Sequence, residues 1–122
     1  SRGLGDVYKR QAKTALLRLA RSEGAERVRL SAWLPGQVGV DYRTISQIFS
    51  TREGRTLESF FLSQKIEYVK ELLDYGQLTA SEIAWRTGYS SVAHLSRQFR
   101  AVTGMTMTQY REEGSRRPLD KV

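Results

Sequence analysis

The stretch ISQIFSTREGRT, residues 45 to 56, returns fifty residues later as LSRQFRAVTGMT, residues 95 to 106. Ile45 aligns with Leu95, Ser46 with Ser96, Phe49 with Phe99, Gly54 with Gly104 and Thr56 with Thr106. The register extends outward on both sides, where Ser31 meets Ser81 and Phe60 meets Tyr110. Each copy reads as a helix, because an aliphatic residue and a Phe four positions apart share one helical face. The glycine suits the left-handed residue after a helix end, and the Thr suits the cap of the next helix. Each copy follows a short apolar stripe and a turn, at Gly36 to Gly39 and at Gly88. A short helix, a turn and a longer helix is helix-turn-helix geometry, in which the second helix enters the major groove of DNA. One such pair can arise by chance in any helical protein. Two that keep the same core positions, stop glycine and cap point to a duplicated unit.

The rest of the chain fits around this pair. Ala12, Ala15, Leu16, Leu19 and Ala20 form one helical stripe, and Leu30, Trp33, Leu34 and Val38 another, with Trp33 read as core. A long stripe takes Leu57, Phe60, Phe61, Ile66, Val69, Leu72 and Leu73, from about Thr56 to Tyr75. TASE at 79 to 82 and TMTQ at 106 to 109 are capping boxes that open two further helices, the first ending near Thr87. No segment alternates as a strand would. The expected fold is all-α, with seven helices and two helix-turn-helix units joined by a long linker helix. Unit one spans about 12–55, the linker about 56–75, unit two about 76–113, and a basic tail follows at 114–122. From Leu57 to Leu73 the linker would be roughly 26 Å long at about 1.5 Å per residue. That is commensurate with two reading helices about one DNA turn, roughly 34 Å, apart.

The first eleven residues, SRGLGDVYKRQ, are basic and contain two glycines, and are expected to be an unstructured leader. DVYKRQ resembles a translation of a sequencing-adaptor end, so residues 1–11 are read as a non-native assembly artefact, with the natural protein extending further upstream. Without Arg2, Lys9, Arg10 and Asp6 the net charge falls from +7 to +5 and the chain stays basic.

Twenty Lys and Arg against thirteen Asp and Glu point to an anionic partner, with nucleic acid ahead of a membrane surface. No stretch approaches the roughly 18 apolar residues of a membrane span, and no signal core is present, so no membrane association and a cytoplasmic location are expected. The chain has no cysteine and one histidine, His94, which excludes disulfides, thiolate catalysis and a His or Cys metal site. No Ser or Asp is placed by sequence to partner His94 in catalysis. The protein is therefore read as no enzyme, and no cofactor or metal is expected.

On a helical wheel, Leu95, Phe99 and Val102 centre the inward face of the second copy, and Arg97 points opposite, between Ala93 and Arg100. Ser96 and His94 flank that face. In the first copy Ile45 and Phe49 point inward, Arg43, Gln47 and Ser50 outward, and Ser46 lies on the flank. Arg can pair bidentately with guanine, Gln with adenine, Ser with several bases, and Ala93 can meet a thymine methyl. Polar residues also cover the wet side of any surface helix, which suffices for Ser50 and Gln98. Arg43 and Arg97 occupy the middle of the outward faces and are read as functional. Trp85, Arg86, His94, Arg100 and Arg111 are expected to contact phosphates, adding affinity without sequence information.

LTASEIAWRTGYSSVAHLSRQFRAVTGMTMTQYR, residues 78 to 111, resembles the C-terminal signature of the AraC/XylS family of bacterial transcription regulators, and the likeness extends over about residues 12–113. The resemblance implies a seven-helix DNA-binding domain with two helix-turn-helix units on a long helix. By motif position it implies base contacts from Arg43, Ser46 and Gln47 in unit one and from Val92, Ala93, Ser96 and Arg97 in unit two. The wheel agrees except at Val92, which falls nearer the core. Double-stranded DNA and RNA polymerase are the implied partners. DYRTISQIFS and the ending RRPLDKV resemble a subgroup with a small N-terminal sensory domain of metal-associated type, so an N-terminal sensory or dimerisation region is expected. Two departures stand out. Pro35 and Gly36 fall in the first helix of unit one and predict a short or kinked helix. Met107 replaces a Pro at a position that only tolerates Pro. The rival reading is a basic helical adaptor that binds an acidic protein partner through the same faces.

Overall fold

A computed structural model describes residues 2–115. Its described residues form seven α-helices and one 3₁₀ turn: α1 (Arg2–Ala20), the turn Ala25–Arg27, α2 (Leu30–Val38), α3 (Tyr42–Glu53), α4 (Leu57–Tyr75), α5 (Ala80–Thr87), α6 (Val92–Thr103) and α7 (Met107–Ser115). The all-α, seven-helix expectation holds. Polar caps set the helix starts. Asp41 accepts from the Thr44 N–H at 2.8 Å, Thr56 from Ser59 at 3.0 Å, and Ser91 from His94 at 3.0 Å. Thr79 with Glu82, and Thr106 with Gln109, form reciprocal capping boxes. Gly54 and Gly104 end α3 and α6 at φ +78° and +80°, a region other residues reach only with strain.

The duplication extends to packing. Leu16, Leu34, Ile45, Phe49 and Leu57 are fully buried in a first core, and Ile66, Val69, Ile83, Leu95 and Phe99 in a second. α4 serves both, with Leu57, Phe60 and Phe61 in the first and Ile66, Val69, Leu72 and Leu73 in the second. Phe49 packs on Phe60 with ring centroids 5.5 Å apart, and Phe99 on Tyr110 at 5.8 Å. The first turns of α4 therefore close unit one as α7 closes unit two.

Three expectations need correcting. Residues 2–11, read as unstructured, are the first half of α1, because Tyr8 continues the stripe of Ala12, Leu16 and Leu19 against the first core. Ion pairs Asp6–Arg52 at 3.1 Å and Lys9–Glu53 at 3.7 Å tie this half to α3. The turn of unit one is not Gly36 to Gly39. α2 runs unbroken through Pro35 and Gly36 to Val38, and its nine residues match the eight of α5. Proline here removes only a bond to the carbonyl of the exposed Ser31. The turn is Gly39 to Asp41, one residue shorter than Gly88 to Ser91 of unit two, and α2 is one residue longer than α5. These two differences cancel, so α3 and α6 keep their fifty-residue register. Lastly, Val102 is 38% exposed and does not join the inward face of α6, which is filled by Leu95 and Phe99. The ending 116–122, with the RRPLDKV likeness and most of the basic tail, lies outside the described residues.

Candidate nucleic-acid interface

Each recognition helix buries two residues, Ile45 and Phe49 of α3 or Leu95 and Phe99 of α6. Burying those residues leaves the opposite faces in solvent. Arg43 and Gln47 on α3, and Ala93 and Arg97 on α6, are exposed, with Ser46 and Ser96 half-buried on the flanks. Val92 is also half-buried and packs on the second core, as the wheel suggested. Beside the exposed Arg43, the carboxyl of Asp41 is held below its ordinary range by the Thr44 N–H, then by the Thr44 hydroxyl and the charge of Arg43. The cap of α3 thus stays anionic while its guanidinium neighbour faces outward.

In unit two the expected base-contacting residues other than Ala93 border one recess of about 370 Å³. Val92, Ser96, Arg97 and Arg100 of α6 line it together with Thr106, Thr108 and Arg111 at the start of α7. Three arginines and three hydroxyls converge there, which suits a phosphate or a base edge. Thr106 and Thr108 were readable only as cap residues, and their position follows from the opening of α7 against α6.

The five expected phosphate contacts divide. Arg100 borders the recess beside α6. Arg111 does too, but its guanidinium donates to the Leu78 carbonyl at 3.1 Å and pins α7 to the start of α5. Trp85, 71% exposed, and Arg86 line a separate recess of about 330 Å³ with Glu23, Leu78, Ser81 and Glu82. His94 departs furthest from expectation. Its ring stands edge-on to Tyr89 with centroids 4.9 Å apart, and Nε2 lies 3.7 Å from a Glu26 carboxylate oxygen. It turns toward the junction of the units, away from the outward direction of Arg97. The other oxygen of Glu26 pairs with Lys65 of α4, a residue only 7% exposed. Burial, and then the negative Glu26, push the Tyr89 phenol above its ordinary range, so it stays a donor and bonds the Gln98 side-chain oxygen at 2.6 Å. Among the described residues no group of three or more His, Cys, Asp or Glu could hold a metal ion, and no helix is long and apolar enough to cross a membrane.

The profile of a family described as a helix-turn-helix domain matches residues 36–113. Among curated proteins, the transcriptional activator NphR of Rhodococcus sp is 28% identical over 78 residues, covering 64% of this chain and 23% of that protein. The HTH-type transcriptional activator RhaR of Enterobacter sp. (strain 638) is 32% identical over 69 residues, 57% of this chain and 24% of that protein. The chain thus spans about a quarter of the length of these relatives. Among solved structures, a transcriptional regulator with an AraC-type DNA-binding domain from Chromobacterium violaceum superposes with a TM-score of 0.79 at 18% identity, covering 96% of this chain and 99% of that one. The DNA-binding domain of AdpA, a global transcriptional factor solved in complex with a target DNA, does so with a TM-score of 0.74 at 21% identity over 90% and 96% of the two chains.

Proposed function

The chain belongs to the AraC-type helix-turn-helix family, the DNA-binding domains of bacterial transcription regulators, and from that membership we propose that α3 and α6 read base pairs in adjacent major grooves of one DNA duplex. The observation that carries this reading is the match of the two outward faces. Arg43 and Gln47 on α3, and Ala93 and Arg97 on α6, stand in solvent on helices that share core positions at a fifty-residue spacing. α4, with 19 residues, is about 28 Å long, a length commensurate with two reading helices about one DNA turn, roughly 34 Å, apart. Arg43, Ser46 and Gln47 contact bases in one groove. Ala93, Ser96 and Arg97 contact them in the next, with Val92 at the rim of the recess. Arg100, Trp85 and Arg86 are the phosphate contacts. The net charge of +7 supplies the sequence-independent part of the affinity. That the similarly folded DNA-binding domain of AdpA was solved in complex with a target DNA supports DNA as the ligand here.

In the full protein, this domain would act in the cytoplasm with RNA polymerase as partner and with a further region for sensing or dimerisation. Binding selection from random duplexes tests the reading. The expected result is an enriched motif with two half-sites, and an affinity that falls steeply between low and physiological salt. Salt-independent binding without a motif would instead favour an acidic protein partner.

A further inference from the structure

Between α1 and α2, the chain of unit one reaches over to the turn of unit two. Gly24 is buried, and its N–H donates to the Arg86 carbonyl at 2.8 Å. A Cβ on Gly88 would stand 2.8 to 2.9 Å from Gly24 backbone atoms, and Gly88 itself sits at φ +88°. Backbone meets backbone here, and no side chain can yield. Two residues on, one carboxylate joins three elements, because Glu26 of the 3₁₀ turn holds Lys65 of α4 and faces His94 of α6. The Lys65 ammonium also lies over the rings of Phe61 and Tyr89, at 4.7 and 5.9 Å from their centroids.

Each unit has its own buried core, so the contact does more than complete either one. We propose that it sets which half-site spacing the protein accepts, with Glu26 as a positioning residue and Gly24 against Gly88 as the pivot. The α4 helix fixes separation along its axis, whereas rotation of α6 about that axis is opposed by contacts between the units. One base pair moves a half-site by about 3.4 Å along the duplex and by about 35° around it. A reader whose second helix cannot rotate rejects such a shift, because linked modules lose their joint affinity once both cannot engage together. A reader with a loosened joint follows the shift. The inference rests on the two-helix reading above.

The test remakes the selected operator with one base pair added or removed between its half-sites. The wild-type chain should lose roughly 10²-fold in affinity. Glu26→Gln and Gly88→Ala, with a cooperative thermal transition retained, should bind the original operator more weakly and lose less than about tenfold on the altered ones. A second arm needs no DNA. The chain has no cysteine, so spin labels at Thr51→Cys and Ala101→Cys, both exposed on α3 and α6, report the distance between the helices in the free protein. A narrow distribution that broadens in Glu26→Gln supports the joint. An unchanged distribution, or a wild-type penalty for altered spacing in folded Glu26→Gln, overturns it. Should Gly88→Ala not fold, Glu26→Gln decides, since it keeps the size of the side chain and an acceptor oxygen for Lys65. A wild-type chain that selects no motif would sink the two-helix reading itself, a failure visible before any variant is made.

Discussion

Phe99 stands nearly perpendicular to Tyr110, at 75° with ring centroids 5.8 Å apart, and its side chain is wholly buried. Truncating it leaves a ring-sized void among Leu95, Ile83 and Met107 of the second core. Phe99→Ala should destabilise the protein by about 3 to 5 kcal/mol in urea unfolding. Tyr110→Ala should cost less, because Tyr110 is half-buried. Equal losses would mean that the ring pair, more than the buried Phe99, holds α7 in place.

Arg97 and Arg100 share one recess but are assigned different work. Arg97→Ala should relax preference at one base position and cost about 1 to 3 kcal/mol on the selected operator. Arg100→Ala should weaken all duplexes alike and lower the salt slope by about 1. Binding isotherms on the operator and on single-position variants separate the two. Identical profiles for both substitutions would end this division of roles.

His94 faces Glu26 and Tyr89. His94→Gln should therefore leave the salt slope of DNA binding unchanged, where loss of a phosphate contact would lower it by about 1. A lowered slope would return His94 to the phosphate contacts.

The carboxyls of Asp41 and Glu53 titrate below their ordinary values of 3.8 and 4.5. Hydrogen bonds from the Thr44 N–H and from the Lys13 ammonium, respectively, are the leading causes. A depressed folded-state value means that stability is fully present above the ordinary value and is lost as pH falls from there through the lower folded-state value. Thermal midpoints should accordingly fall as pH drops below about 4 to 5. The combined Asp41→Asn and Glu53→Gln variant should show a shallower fall, and an unaltered acid slope would remove these carboxyls from the account.

The helices were legible because their information is local. The capping boxes at Thr79 and Thr106, the stop glycines at Gly54 and Gly104, and the period of the apolar stripes fix their ends and inward faces. The outward faces carrying Arg43, Gln47 and Arg97 followed by subtraction. What depends on distant partners did not show. Lys65 is a cation inside an apolar stripe, and only the fold reveals Glu26 and two rings around it. His94 looked like a flank residue for the same reason, since Glu26 lies far from it in the chain. In α2, proline looked disruptive because the sequence does not tell that the bond it forgoes ends on an exposed residue.

The linker helix also limits how far the protein can be divided. A fragment stopping at Gly54 would lack Leu57, Phe60 and Phe61, and one starting at Gly76 would lack Ile66, Val69, Leu72 and Leu73. Either piece would present an open apolar trough where its wall had been. The duplication is visible in the sequence, yet a cut at either end of α4 strips one copy of a wall of its core, so the unit as the sequence repeats it is no longer a portable module.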